Sequence, residues 1–236
     1  MKRYVLIMMM LWNLFFGNAA EPTDWANKSR YAQANRELLA NGRQIHIVLM
    51  GNSITENWEE IHPRFFTEND IVGRGISGQV SSQMLVRFRQ DVIDLNPQVV
   101  VINCGTNDIA ENNGPYDEDI TMDNIQSMTE LAVNHGITVV LSSVLPCDGF
   151  IWNPNIKDAS AKIQSLNRRI KDYAYFQGLY YIDYYPSMVS GNGALNPSFT
   201  QDGVHPNAAG YDVMERLLKN TLSIIMEPKR EEQNIQ

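Results

Sequence analysis

The sequence predicts an α/β domain built on a five-stranded parallel sheet with helices on both faces. Nearly all-apolar runs such as Val99-Val100-Val101-Ile102 and Thr138-Val139-Val140-Leu141 read as strands buried on both sides. Stretches with helical spacing separate these runs in regular alternation, the pattern of parallel strands joined by right-handed crossovers. Polar, glycine-rich segments follow the strands, and folds of this class keep their sites at the carboxyl ends of the sheet.

Residues 31–39 have helical spacing and stop at Asn41-Gly42. A first strand covers 45–49 and is closed by Gly51; a briefer second one covers 71–72, ahead of Gly73 and Gly75. Residues 80–93 are helical and 99–102 form the third strand. The next helix, 119–134, ends at Gly136, and the fourth strand follows at 138–141. A long amphipathic helix over 159–176 ends at Gly178, before a fifth strand at 180–182 and a last helix at 207–226. No internal repeat and no low-complexity segment interrupts the order.

Three units are expected: an export leader at 1–20, a single domain at 21–227 and a polar tail at 228–236. Lys2 and Arg3 precede an apolar stretch over 4–16, and Gly17, Asn18, Ala19 and Ala20 supply the small residues a signal peptidase needs. Cleavage near Ala19 or Ala20 places the protein in the periplasm or outside the cell. The apolar stretch is too short for a stable membrane anchor. Lys and Arg total 19 and Asp and Glu 27; without Lys2 and Arg3 the net charge goes from −8 to −10. An acidic surface argues against nucleic acid and anionic lipid as partners. The two cysteines, Cys104 and Cys147, each follow an apolar run and are either bridged or free. His46, His62, His135 and His205 are scattered along the chain without a ligand motif, so no metal is expected.

Four polar segments hold the candidate chemistry. Asp202-Gly203-Val204-His205-Pro206 precedes the last helix. Gly203 permits a tight turn that returns the Asp202 carboxylate to the imidazole, and a carboxylate on one ring nitrogen leaves the other as a base. Pro206 suits a helix start. Ser53, in Gly51-Asn52-Ser53-Ile54-Thr55, sits at a strand-to-helix turn, where a hydroxyl is exposed and a backbone N–H is near to stabilise an oxyanion. Ser53 with Glu56 also reads as an ordinary capping box. Asn107, in Gly105-Thr106-Asn107-Asp108, offers an amide donor at a strand end, or else belongs to a common turn. The run from Gly73 through Gly75 to Gly78 spells Gly-x-Gly-x-x-Gly, yet the next strand lacks the terminal acid that a dinucleotide site wants. No cofactor is therefore expected, and Gly78 instead bares a backbone N–H. A nucleophile (Ser53), base (His205), orienter (Asp202) and three oxyanion donors (Ser53, Gly78, Asn107) together make a set for acyl transfer to water.

Taken in order, the four segments resemble the motif blocks of the SGNH (GDSL-like) hydrolases, including their acetylhydrolase-like members, over about residues 45–226. The resemblance implies a three-layer flavodoxin-like fold and ester hydrolysis without metal or cofactor, with Ser53 attacking, His205 as base then acid, and Asp202 orienting it. It also implies an oxyanion site made by the Ser53 and Gly78 N–H groups and the Asn107 side chain. The family usually carries Gly-Asp-Ser; here Asn52 stands in place of that Asp, which is not a triad member. Arg74 and Trp152 are further candidates near the mouth: Arg74 binds a substrate carboxylate or is merely solvated, and Trp152 stacks on a sugar or anchors a loop. Phe150, Ile151 and Phe199 are the residues from which an acyl groove would be built.

The leading expectation is hydrolysis of short acyl esters, acetyl groups on carbohydrate among them. A lysophospholipase or lipase of the same fold is the rival, and a non-catalytic carbohydrate-binding module is the alternative from another class.

Overall fold

The computed structural model describes residues 24–42 and 44–226, so the leader and tail expectations lie outside the described residues. The strands are β1 (Ile47–Gly51), β2 (Ile71–Gly75), β3 (Val99–Ile102), β4 (Thr138–Ser142) and β5 (Tyr180–Ile182). They form one parallel sheet in the order β2-β1-β3-β4-β5, the doubly wound order of flavodoxin-like folds. Gly51 pairs in register with Gly75, and Ile47 faces Val99 on the other side.

The helices in chain order are α1 (Ala32–Ala40), α2 (Ser53–Ile61), α3 (Pro63–Glu68), α4 (Ser81–Asp91), α5 (Thr106–Ile109), α6 (Glu118–Asn134), α7 (Ala159–Phe176), α8 (Tyr185–Met188) and α9 (Ala208–Met226). Alternation along each strand divides the core into two layers. Val48, Met50, Val100, Ile102, Val139 and Leu141 face Met84 and Phe88 of α4, Met122 and Met128 of α6, and Ile163, Leu166 and Ile170 of α7. Ile47, Leu49, Val99, Val101 and Val140 face Ile54 and Trp58 of α2, Phe65 and Phe66 of α3, and Tyr211, Met214 and Leu218 of α9. Fully burying a side chain of this size stabilises by about 1.5–3 kcal/mol, so both helical layers are held chiefly by the sheet. Among the described residues no helix is long and apolar enough to cross a membrane.

Two departures from the expected elements bear on the site. β2 runs on through Gly73-Arg74-Gly75, which the sequence suggested was loop. A Cβ on Gly75 would lie 2.3 Å from the Glu56 backbone nitrogen and 2.6 Å from the Asn52 oxygen, so the absent side chain lets the first turn of α2 rest on the end of β2. The glycine run thus serves helix–strand packing rather than a phosphate turn. Second, α2 and α3 fill the segment between β1 and β2. The strand-to-helix turn at Ser53 anticipated the start of α2, whereas α3 was not among the expected elements.

Candidate active site

Ser53 opens α2 immediately after β1, and Asn52 caps that helix by accepting the Ile54 N–H at 3.1 Å. An amide oxygen supplies the same acceptor a carboxylate would, so the cap needs no charge at position 52. The Asn52 Nδ2 is buried without a hydrogen-bond partner among the described residues. Because Asn52 does the capping, the Ser53 hydroxyl is released from the Ser53–Glu56 box that its spacing suggested. Glu56 accepts the Ser77 N–H at 2.7 Å and an Arg30 N–H at 2.9 Å instead.

The Ser53 Oγ lies 2.9 Å from His205 Nε2. That imidazole is oriented from the other side of the ring. Asp202 Oδ1 accepts the N–H groups of Val204 at 2.9 Å and His205 at 2.8 Å, which folds the segment into a tight turn. Oδ2 is left for His205 Nδ1, at 2.6 Å. Thr200 braces the turn, its Oγ1 accepting the Gly203 N–H at 3.0 Å and lying 2.8 Å from the His205 carbonyl. Burial pushes the Asp202 carboxyl up, but the bonds from the His205 ring and from the two backbone N–H groups outweigh it and hold the group down at about 2. With Nδ1 facing a carboxylate, Nε2 is the nitrogen turned to the Ser53 hydroxyl.

Backbone and amide N–H groups gather at the ends of β1, β2 and β3. Gly78 has φ +77, a left-handed backbone that favours glycine. Its N–H and that of Ser53 donate to no protein group among the described residues. Asn107, in α5, is buried, and its Nδ2 gives one hydrogen to the Gln79 carbonyl at 2.9 Å. The second amide hydrogen has no protein partner among the described residues.

A buried polar network sets these pieces relative to one another. Arg87 of α4 donates from Nε to Gln79 Oε1 at 2.6 Å, from Nη2 to the Gly51 carbonyl at 2.9 Å and from Nη1 to Asp91 at 2.9 Å. Asn35 of α1 joins Asp91 at 2.8 Å. Gln79, Arg87, Asn35 and Thr200 were not singled out from the sequence. A signal existed for Arg87, a charged residue inside the apolar stripe of Met84 and Phe88, and for Thr200, two residues before a turn aspartate.

Arg74 departs from its expected place. It is buried in β2, with Nε and Nη2 on Asn35 Oδ1 at 2.9 and 2.7 Å and its guanidinium 4.7 Å from the Tyr31 ring centre. Strand alternation turns it to the α1 side, so it offers nothing to a substrate carboxylate, and it is not solvated either. Trp152 is 46% exposed, and its ring centre is 6.3 Å from that of His205. Its indole N–H donates to Asn112 Oδ1 at 2.8 Å, while Asn112 Nδ2 donates to the Gly78 carbonyl at 3.2 Å.

Cys104 and Cys147 are free, buried thiols, which resolves the two possibilities left open by their spacing. His62 gains acidic neighbours that the chain order did not suggest. His62, Asp212 and Glu215 bring one ligand atom each to within 4.8 Å of one another. His62 Nδ1 is 2.6 Å from Glu215 Oε1, which also accepts the Trp58 indole N–H at 3.3 Å.

The chain is similar to known proteins. The model of the GDSL-like lipase/acylhydrolase family matches residues 39–213. A solved structure from Bacteroides fragilis, assigned as an acylhydrolase, is 54% identical with a TM-score of 0.84, covering 87% of this chain and 100% of that one. A GDSL-like lipase from Bacteroides thetaiotaomicron is 52% identical with a TM-score of 0.82, covering 85% and 99%. A catalytic mutant of an acetylxylan esterase from Geobacillus stearothermophilus, 18% identical over 75% of this chain and 93% of its own, shares the fold with a TM-score of 0.60. An uncharacterized lipoprotein of Bacillus subtilis is 32% identical over 80 residues, so the matched segment spans 33% of this chain and 33% of that protein.

Proposed function

Because the chain belongs to the GDSL-like lipase/acylhydrolase family and is an ester hydrolase of the SGNH type, we propose that it removes short acyl groups, acetyl foremost, from esters of polar alcohols such as carbohydrates. The observation that carries the chemistry is the relay from Ser53 Oγ to His205 Nε2 at 2.9 Å and from His205 Nδ1 to Asp202 at 2.6 Å.

In this reading His205 takes the Ser53 proton as Oγ bonds to the ester carbonyl carbon. The resulting oxyanion is met by the N–H groups of Ser53 and Gly78 and by the Asn107 amide, which act where charge develops. The C–O bond to the alcohol then breaks, and His205 gives its proton to the departing oxygen. A water molecule, deprotonated by His205, attacks the acyl-Ser53; the carbon–Oγ bond breaks, releasing the acid and restoring the serine. Asp202 keeps its charge throughout and stabilises the imidazolium.

Preference for a short acyl group is supported by the apolar residues near the mouth. Phe150 is packed into the core and Phe199 lies against the opposite core layer; of the three groove candidates only Ile151 is well exposed. A growing acyl chain gains about 0.8 kcal/mol per buried CH₂ only where a groove receives it. Trp152, beside His205, offers an aromatic face at the mouth for part of a carbohydrate substrate. Export is part of the same proposal and rests on the pattern of residues 1–20; the N-terminal sequence of the secreted or periplasmic protein tests it.

The test is kcat/KM across acetyl, butyryl, octanoyl and palmitoyl esters of one alcohol, with acetylated sugars and lysophospholipid alongside, for the wild type and Ser53→Ala. Acetyl is expected to lead and Ser53→Ala to be inert. A maximum at octanoyl or longer, or at lysophospholipid, would promote the lipase reading. Sugar retention with no turnover of any ester would promote a binding module.

A further inference from the structure

On the face of His205 reached from α2, a cavity of about 420 Å3 opens between Asn57 and Ile61 of α2 and the segment from Gln201 to Ala208. We propose that this cavity receives the alcohol half of the ester, and that Asn57 and Gln201 recognise hydroxyl groups on it. The inference rests on the roles given above to Ser53 and His205.

Leaving-group chemistry points there first. His205 must hand its proton to the departing oxygen, so the alcohol has to sit against the imidazole. Of the residues given roles above, His205 and Asp202 line this cavity, while Ser53, Gly78 and Asn107 do not. Its volume falls in the range of about 300–1,000 Å3 usual for small-ligand sites.

The lining then indicates the class of alcohol. Asn57 lies four residues after Ser53 on α2, so both side chains leave the same face of the helix. Asn57 is partly exposed and Gln201 exposed, and neither side chain is hydrogen-bonded to another protein group among the described residues. Asn207, which also borders the cavity, is different: its Nδ2 donates to the Ser198 carbonyl at 3.1 Å and its Oδ1 accepts the Gly210 N–H at 3.1 Å. Two uncommitted amides, each able to donate and accept, match hydroxyls that do both. Ile61 and Ala208 add small apolar surfaces for the carbon faces of a polyol.

The experiment compares kcat/KM for a mono-acetylated methyl pyranoside with that for p-nitrophenyl acetate, whose alcohol has no hydroxyls to recognise. Wild type, Asn57→Ala, Gln201→Ala and the double variant are measured, with the rate of Ser53 labelling by a fluorophosphonate reporting an intact site. The ratio of sugar ester to p-nitrophenyl ester is expected to fall by about 10-fold in the double variant, mainly through KM, as two neutral hydrogen bonds are lost. Asn57→Gln, which keeps the amide, is expected to recover part of it. A ratio that moves by less than about 2-fold overturns the assignment of the cavity, as does a wild type that cleaves p-nitrophenyl acetate but not the sugar ester. A wild type that cleaves neither ester overturns the hydrolytic reading beneath it.

Discussion

The guanidinium of Arg87 donates to the carbonyl of Gly51 at 2.9 Å, so a fully buried cation anchors the strand end that carries Ser53. Burial pulls the Arg87 guanidinium below its ordinary value, and the hydrogen bond and charge of Asp91 act against that pull. Removing one member of such a pair leaves the other charge buried and alone, which costs about 3–5 kcal/mol. Arg87→Met is therefore expected to lose about that much stability in urea unfolding, and turnover with it, as Gln79 and Asn107 lose their brace. A loss below about 1 kcal/mol would show that the network is not what holds the turn.

Ser53→Ala and His205→Ala are each expected to lower kcat by about three orders of magnitude or more, and the double variant to be little worse, because the two groups act as a unit. Asp202→Ala should cost less, since it orients and stabilises the imidazolium without taking its proton. Losses that multiply in the double variant would separate the two residues.

Asn107→Ala is expected to lower turnover by about 100- to 1,000-fold, the range for one oxyanion donor. Its amide also holds the Gln79 carbonyl at 2.9 Å, so about 1 kcal/mol of stability goes as well. Kinetics and unfolding measured on one preparation separate the two effects. Turnover within a few-fold of wild type would return Asn107 to an ordinary turn.

The Asp202 carboxyl, held at about 2 against an ordinary 3.8, stays ionised at any pH suited to assay. The same shift contributes stability that is present above pH 3.8 and is lost as pH falls through about 2. The destabilisation caused by Asp202→Asn should therefore shrink over that interval. A difference that stays constant down to pH 2 would mean the carboxylate is not held by these bonds.

Burial raises both thiols, Cys147 to about 11 and Cys104 well above its ordinary value. Native protein is expected to react with a thiol-specific disulfide reagent at pH 8 far more slowly than unfolded protein, which should release two equivalents. No release after unfolding without reductant would mean a bridge.

The substitution of Asn52 for the family's usual Asp illustrates what a motif can and cannot report. The sequence exposed the missing charge; the structure exposes its consequence, a cap that an amide oxygen serves as well.

Sequence alone determined the alternation of strands and helices. Periods of two and of 3.6 residues, with glycines at the stops, are local properties of the chain. The bounds 159–176 and 180–182 were legible to the residue because a long amphipathic face and a glycine punctuate them. The four motif segments were legible as well, since chemistry-bearing residues stood out at strand ends. Side-chain direction was decided only by the tertiary structure. Arg74 was read as lying near the mouth, but extending β2 by three residues turns it to the α1 side. His62 and Glu215, 153 positions apart, meet only because α2, α3 and α9 pack on one face of the sheet. Asn57 comes to border His205 for the same reason. Such contacts arise when crossovers bring distant helices to a common layer, and no local pattern encodes which side chains then face each other.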